Sequence, residues 1–226
     1  MVVLRMKLPL ILINFKSYAE GTGDNALKLA EFCQSLSEKF GVNIAIAPQD
    51  VDIFRISSQT RIPIYAQSIE PIEPGAHTGH ELALAAKEAG AIGTIINHSE
   101  NRLTAYQIGQ SIEIAKKNGL KTVVCTPTLE FTEEIIEFKP DFIAYESPEL
   151  IGSGKAISKV KPDFVKKFVD LLSKTNIIPL CGAGISTGKD VKTALDLGTQ
   201  GVIVASAIVK SKNPKETLED MILHFR

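Results

Sequence analysis

The feature that most constrains the fold is an eightfold alternation of short apolar runs with longer amphipathic stretches. The apolar runs are residues 10–13, 44–47, 62–65, 92–96, 122–125, 141–145, 177–180 and 202–205. The stretches that follow them are residues 26–40, 51–59, 81–89, 104–118, 130–138, 163–173, 189–197 and 214–225. A continuous apolar run predicts a strand that is covered on both faces, as in a parallel sheet with helices outside. The chain therefore contains eight predicted βα units.

Eight consecutive units favour one closed barrel over an open sheet, because open doubly wound sheets are built from fewer strands. Four glycines each follow a predicted helix, where glycine commonly ends a helix in the left-handed conformation: Gly41, Gly90, Gly119 and Gly198. We predict an α/β fold, a single (β/α)8 barrel domain over residues 1–226. Because this fold usually has about 250 residues, we expect shortened helices, in particular at residues 50–60 and after Pro127.

Composition excludes several classes of partner. The chain has 25 Lys and Arg against 26 Asp and Glu, a formal charge of -1, and no basic stripe of the kind that binds nucleic acid or an anionic membrane. The apolar run at residues 8–13 is too short for a signal peptide or a membrane span. Cys33, Cys125 and Cys181 lack metal-ligand spacing. We expect a reduced, cytoplasmic setting and neither a nucleic-acid nor a membrane partner.

The chemistry is expected where polar or small residues directly follow predicted strands. In a (β/α)8 barrel the carboxyl ends of all strands meet at one rim, which carries the active site. The candidates at this rim are Asn14 and Lys16, then His98, Ser99 and Glu100, then Glu146, then Gly182, Ala183 and Gly184, and finally Ala205 and Ser206. Residues far apart in the chain are thus expected to line one site.

Several of these strings resemble one known family. Asn14-Phe-Lys16, Asn97-His-Ser-Glu-Asn-Arg102 and Tyr145-Glu146 stand in the order and spacing of the triosephosphate isomerases, and the resemblance spans nearly the whole chain. The strings at residues 181–186 and 204–206 resemble the archaeal branch. The resemblance implies a TIM barrel that interconverts dihydroxyacetone phosphate and D-glyceraldehyde 3-phosphate through an enediolate, in glycolysis and gluconeogenesis, without a cofactor or a metal.

The resemblance also implies catalytic roles. Glu146 is expected to be the base that takes a carbon-bound proton and returns it to the adjacent carbon. His98, acting in its neutral form as it does in this family, and Lys16 would stabilise the charge that develops on oxygen. Asn14 would hold Lys16 and the substrate, and Glu100 would orient its neighbours. The alternatives are a solvated acid, a structural histidine and a surface lysine.

Phosphate binding is expected at backbone N–H groups after the seventh and eighth strands, a common arrangement in these barrels. Gly182, Gly184, Ala205 and Ser206 have small side chains that let a dianion approach the main chain. Residues 148–155 read as a lid that contributes Ile151 and Gly152 and excludes water, as the loop of this family does. The alternatives are a tight βα turn for the glycines and an ordinary loop for the lid.

The sequence of one loop, residues 74–80, indicates that the chain associates with copies of itself. In Pro74-Gly-Ala-His-Thr-Gly-His80, two histidines three residues apart lack the further ligands of a zinc site. The string resembles the family's third loop, which inserts into a neighbouring subunit with its threonine, here Thr78. The resemblance implies a homo-oligomer and, for the archaeal branch, a homotetramer over a homodimer.

Two other functions remain open from the residues. An aminoaldose–ketose isomerase of amino-acid biosynthesis shares the phosphate site, but such barrels place acid and base residues after strands 1 and 5. Here Asn14 and Lys16 follow strand 1, which disfavours that activity. A catalytically silent sensor of sugar phosphates is disfavoured by the joint presence of Lys16, His98 and Glu146.

Overall fold

Eight parallel strands form the barrel that the sequence predicts. The computed structural model describes residues 8–146 and 156–225. The strands are β1 (Leu10–Asn14), β2 (Asn43–Ala47), β3 (Tyr65–Ala66), β4 (Gly93–Ile96), β5 (Lys121–Thr126), β6 (Phe142–Tyr145), β7 (Ile178–Cys181) and β8 (Gly201–Val204). Their order in the sheet is β2-β1-β8-β7-β6-β5-β4-β3. The predicted fold class is confirmed.

The sheet is closed between β2 and β3 by a single bridge. Ile46 of β2 pairs in parallel with Ile64, just before β3, and the Ile46 N–H donates to the carbonyl of Pro63 at 3.0 Å. The predicted third strand, residues 62–65, was placed too early. Pro63 has no N–H to give to a ladder, so regular pairing begins only at Tyr65, which faces Gly93.

The strands are apolar throughout because both of their faces are buried. In β1 all five residues are buried; Leu10 and Leu12 belong to a cluster inside the barrel, whereas Ile11 and Ile13 pack outward against the helices. Successive strand residues point to opposite faces, so one strand serves two cores. This is the physical reason for the continuous apolar runs.

The helices surround the barrel. They are α1 (Asp24–Phe40), α2 (Asp50–Ser57), α3 (Ala83–Glu88), α4 (Ala105–Lys117), α5 (Leu129–Ile136), α6 (Ile157–Val160), α7 (Pro162–Leu172), α8 (Gly188–Asp196), α9 (Ser206–Val209) and α10 (Pro214–Leu223). The shortening expected at α2 and α5 is confirmed, since each has eight residues. Helix α3 has only six residues, which was not predicted, and neither were the four-residue helices α6 and α9.

The four predicted helix-ending glycines all have positive φ, from 66° at Gly41 to 106° at Gly90. Left-handed backbone is costly for residues with a Cβ, so these glycines permit the short turns that return the chain to the next strand. Within the described residues, no helix combines the length and the apolar character needed to cross a membrane.

Candidate active site

A cavity of about 260 Å³ opens at the carboxyl ends of the strands. Its lining includes most of the residues that the sequence predicts for the site: Asn14, Lys16, His98, Glu146, Gly184, Ala205 and Ser206. Two predicted residues, Ile151 and Gly152, lie outside the described residues, as does the predicted lid at 148–155. Residues from five strand ends therefore share one cavity.

Glu146 is a buried acid that faces this cavity. It directly follows β6, and its N–H donates to the carbonyl of Thr126 at 3.0 Å, which fixes it to the end of β5. Its residue is 4% exposed, and its Oε2 atom has no hydrogen-bond partner among the described residues. A buried polar atom without a partner is costly. Such an atom, fixed on a strand, is well placed to accept a proton from a ligand.

Gly182 keeps the end of β7 close to Glu146. A Cβ at this position would lie 2.5 Å from Cγ2 of Ile203 and 3.4 Å from Oε1 of Glu146. The Gly182 N–H already donates to the carbonyl of Tyr145 at 3.2 Å. In the structure its small size serves the packing of the barrel rim, and its part in admitting the phosphate stays a prediction.

Two cysteine thiols lie beside the same carboxylate. Burial, followed by the charge of Glu146, raises the pKa of the Cys181 thiol to about 12. Burial and Glu146 also raise the pKa of Cys125 well above its usual value. Thiols in this state are poor nucleophiles, so these cysteines are neutral neighbours of the Glu146 carboxylate. All three cysteines of the chain are unpaired and buried.

His98 presents one ring nitrogen to Glu146. The N–H of Glu100 donates to Nδ1 of His98 at 3.2 Å, so the hydrogen-bond pattern assigns the ring proton of the neutral imidazole to Nε2. That atom lies 3.9 Å from Oε2 of Glu146, too far for a direct hydrogen bond. The imidazole can therefore donate to an oxygen of a ligand held between the two side chains.

The backbone before His98 is held by Asn97. Asn97 has φ 60°, a left-handed conformation that asparagine tolerates better than most residues. Its side chain donates to the carbonyl of Cys125 at 2.8 Å and accepts from the N–H of Leu103 at 2.8 Å, while Arg102 donates to its carbonyl at 3.0 Å. These contacts fix the turn that carries the imidazole.

Lys16 enters the cavity from a strained turn after β1. Its φ is 51°, a conformation that costs free energy in a residue other than glycine. The Lys16 N–H donates to Oδ1 of Asn14 at 2.9 Å, and its ammonium lies 2.7 Å from Oε1 of Glu100. Asn14 thus holds the backbone of Lys16, and Glu100 aims the ammonium.

Gln67 is a site residue that the sequence analysis missed. Its side-chain amide donates to the carbonyls of Lys16 and Ala47, each at 3.0 Å, so it holds the strained turn of Lys16 against the end of β2. A signal was present, because Gln67 is the polar residue that directly follows β3. The positional rule that selected Lys16 also applies to Gln67, which lies two residues after the predicted third strand at 62–65.

The other end of the cavity is lined by backbone and small side chains. Residues 183–186 follow β7 and residues 205–207 follow β8. Gly184 has φ 78°, and Ala205 precedes the first turn of α9, where N–H groups lack partners inside the helix. Main-chain N–H groups can bind an anion by hydrogen bonds, without a positively charged side chain. This wall is chemically distinct from the end that holds Glu146.

In the described part of the chain, no group of three or more His, Cys, Asp or Glu residues is arranged to hold a metal ion. His77 and His80 lie edge to face with ring centroids 6.3 Å apart. The cavity brings together the Glu146 carboxylate, the His98 imidazole and the Lys16 ammonium, beside a wall of main chain and small residues.

These features define a class, a (β/α)8 barrel with a candidate proton-transfer site at the carboxyl ends of its strands. The family model of triosephosphate isomerase matches residues 9–222. A triosephosphate isomerase of Methanosarcina barkeri is 47% identical over 219 residues, 96% of this chain and 99% of that protein. One of Methanobacterium bryantii is 48% identical over 216 residues, 95% and 96% of the two chains. The chain belongs to the triosephosphate isomerase family.

A solved structure agrees with the fold. The triosephosphate isomerase of Bartonella henselae superposes with a TM-score of 0.70 at 19% identity and covers 96% of this chain and 97% of its own. The resemblance to the archaeal branch is confirmed, because the similar relatives include proteins of several methanogenic archaea at about 47% identity.

Proposed function

We propose that this chain interconverts dihydroxyacetone phosphate and D-glyceraldehyde 3-phosphate, as a cofactor-free isomerase of glycolysis and gluconeogenesis. The observation that carries the proposal is the buried, unpartnered Oε2 of Glu146, 3.9 Å from Nε2 of His98. One carboxylate faces the space that a substrate would occupy, and one N–H donor faces the same space. Membership of the family gives the substrate class.

The reaction follows from these positions. The Glu146 carboxylate takes a proton from C1 of dihydroxyacetone phosphate, and the electron pair moves to the carbonyl oxygen on C2. His98 Nε2–H and the Lys16 ammonium stabilise the resulting enediolate by hydrogen bonding and charge. The Glu146 carboxyl then returns a proton to C2, and the C1 hydroxyl proton moves to the oxygen on C2. The product is the aldehyde, and no redox step is needed.

The two ends of the cavity bind different parts of the substrate. Asn14 and Lys16 contact its reacting carbons and oxygens, and the backbone at Gly184, Ala205 and Ser206 binds its phosphate. By resemblance to the family, Ile151 and Gly152 in the lid at 148–155 complete the phosphate site when substrate binds.

A coupled assay with both triose phosphates tests the proposal. Glu146→Asp shortens the base by one methylene, and a displacement of about 1 Å can lower the rate about 100-fold. We expect kcat to fall by at least this factor while substrate binding is retained. Glu134→Asp, an exposed glutamate of α5, is the matched control and should turn over like the unmodified chain.

Two outcomes would contradict the proposed activity. Unchanged turnover in Glu146→Asp would remove Glu146 from the reaction. Failure of the unmodified chain to isomerise either triose phosphate, while it still binds phosphate, would favour the catalytically silent sensor. Isomerisation of an aminoaldose phosphate instead would favour the second alternative, although Asn14 and Lys16 after β1 offer no acid and base pair for it.

We further propose that the chain, a single barrel domain over residues 1–226, assembles in the cytoplasm as a homo-oligomer, with a tetramer favoured over a dimer. In the isolated chain the third loop around Thr78 is exposed, and so are two apolar residues of α2, Val51 at 85% and Phe54 at 67%. Asp50, which begins α2, lies against Glu81 at the base of this loop. Exposed apolar residues beside a protruding loop support an interface between copies.

Sedimentation equilibrium measures the assembly. A tetramer has four times the 24.5 kDa mass of the chain. Val51→Asp with Phe54→Asp should lower the mass, since charges are costly in an apolar interface. Leu223→Asp changes an exposed apolar residue of α10 and should leave the mass unchanged. A monomer at all concentrations would contradict the proposed assembly.

A further inference from the structure

Asp190 is a buried acid outside the proton-transfer end of the cavity. It lies in the first turn of α8 and is 3% exposed. Its Oδ2 accepts four hydrogen bonds, from N–H and Oγ of Ser186 at 3.0 and 3.1 Å and from N–H and Oγ1 of Thr187 at 2.9 Å each. Its Oδ1 lies 2.6 Å from the ammonium of Lys159.

A helix cap explains only part of this network. Thr187 and Asp190 form a capping box at the start of α8, which accounts for the contacts between those two residues. It does not require Ser186 or Lys159. Ser186 lines the cavity together with Ala183 and Gly184, so the same carboxylate that caps the helix also holds the cavity wall.

The wall is tied through Asp190 to a second element. Lys159 belongs to α6, and the hydroxyl of Ser158 in the same helix donates to the carbonyl of Asp190 at 3.4 Å. Burial would raise the pKa of Asp190, but hydrogen bonds from Lys159, Ser186 and Thr187 lower it. The carboxyl is therefore charged at neutral pH, and charge-assisted hydrogen bonds are the stronger kind.

We propose that Asp190 is a positioning residue: by holding Ser186 and Thr187 against Lys159 it fixes the wall after β7 in the shape that receives the substrate phosphate. This inference rests on the proposed function for the identity of the anion. Asp190 is not among the residues that line the cavity, so it acts on the substrate only through the backbone at residues 183–186.

Asp190→Ala, which removes all five contacts of the carboxylate, tests this role. We expect KM for glyceraldehyde 3-phosphate and the dissociation constant of inorganic phosphate to rise together by about tenfold, with kcat changed less than about threefold, because uniform binding is lost. Slow isomerisation of glyceraldehyde, which has no phosphate, should keep its rate.

Gln107→Ala provides the control, because Thr104 and Gln107 form the same kind of capping box at the start of α4. Both variants should lose thermal stability by a similar amount, whereas only Asp190→Ala should weaken phosphate binding. Equal KM values in the two variants would overturn the inference and show that Asp190 only caps α8.

Two further variants keep the test decisive if Asp190→Ala does not fold. Asp190→Asn retains an oxygen for Ser186 and Thr187 but loses the charge, and Lys159→Met removes one partner; both should weaken phosphate binding by a smaller factor. Unchanged phosphate binding in both would overturn the inference. Phosphate binding is measured without turnover, so a chain that binds phosphate but does not isomerise triose phosphates would fail the proposed function and leave the role of Asp190 standing.

Discussion

The two ends of the cavity differ in whether side chains or main chain line them. The proposed proton-transfer end consists of long polar side chains, Lys16, His98 and Glu146, from three strand ends. The proposed phosphate end consists of main chain and small residues, with Gly184 and Ser206 as examples. One end depends on the identity of side chains, and the other depends on the course of the backbone.

The difference sets how each end tolerates change. A side chain that carries charge or a proton has no substitute in its surroundings, so its removal should lower kcat strongly. A backbone N–H survives every substitution except proline, so this wall changes only when its conformation changes. Substitutions at the proton-transfer end should therefore lower kcat, whereas substitutions at the phosphate end should raise KM.

The largest expected effect is that of Lys16→Met. Methionine approximates the length of lysine but has no charge, so the developing oxyanion loses a cation. We expect kcat/KM for dihydroxyacetone phosphate to fall by about 10³-fold, with a large part of the loss in kcat. Steady-state assays in both directions measure it. A loss of less than tenfold would break the assignment of Lys16 to the reacting end.

Lys139→Met is the matched control for this substitution. Lys139 also has a left-handed backbone, with φ 52° against 51° at Lys16, and it is exposed in the turn between α5 and β6. The control therefore reproduces the chemical change and the backbone strain. Turnover like that of the unmodified chain would show that the loss in Lys16→Met comes from the cavity.

An intermediate effect is expected for Gly184→Ala. At φ 78° an added Cβ favours a different backbone conformation, at a cost of about 1–2 kcal/mol, and would move the wall that receives the phosphate. We expect KM to rise about tenfold with kcat changed less than threefold. Titration with inorganic phosphate should show a parallel loss of affinity.

Gly119→Ala separates backbone strain from the cavity. Gly119 has φ 68° and open space around the position of a Cβ, in the turn between α4 and β5. The Gly119→Ala variant should lose about as much stability as Gly184→Ala, but its KM should equal that of the unmodified chain. A fall in kcat without a change of KM in Gly184→Ala would contradict the division between the two ends.

The residues that line the proposed proton-transfer end could be predicted from the sequence, because the hydrophobic pattern shows where their strands end. Continuous apolar runs mark the strands, and the barrel converts the next polar residue into a rim position. Lys16 and His98 lie two residues after their strands, and Glu146 one residue after its own. Gln67 also follows its predicted strand by two residues, but it acts by hydrogen bonds that hold the turn of Lys16, and the hydrophobic pattern does not show such contacts.

The phosphate end was harder to predict because small residues have several causes. Gly182 and Gly184 look alike in sequence, yet the first is required by close packing against Ile203 and the second by a positive φ at the cavity wall. Asp190 looks like an ordinary helix-capping acid. Its contact to Lys159 is tertiary, so no local spacing indicates it.

A third region lies outside both ends of the cavity, and its main effect should be on stability. Asp50 begins α2 and lies beside Glu81 and Glu70 at the base of the third loop. Burial, the hydrogen bond and charge of Glu81, and the charge of Glu70 raise the pKa of Asp50 to about 8, against the opposing effect of the Gln67 N–H. The folded protein therefore binds a proton near neutral pH that the unfolded chain has released.

The smallest expected effect is the loss of that pH dependence in Asp50→Asn. Because the pKa of Asp50 is higher in the folded protein than in the unfolded chain, its proton stabilises the fold. This stabilisation is fully present below the unfolded pKa, near 4, and is lost as the pH rises through the folded pKa, about 8. The Tm of the unmodified chain should fall by several degrees between pH 5.5 and 9, and Asp50→Asn should flatten this slope with kcat and KM unchanged. Asp163→Asn, an exposed acid in the first turn of α7, should keep the slope. Differential scanning calorimetry measures it, and equal slopes in the two variants would show that Asp50 does not hold the proton.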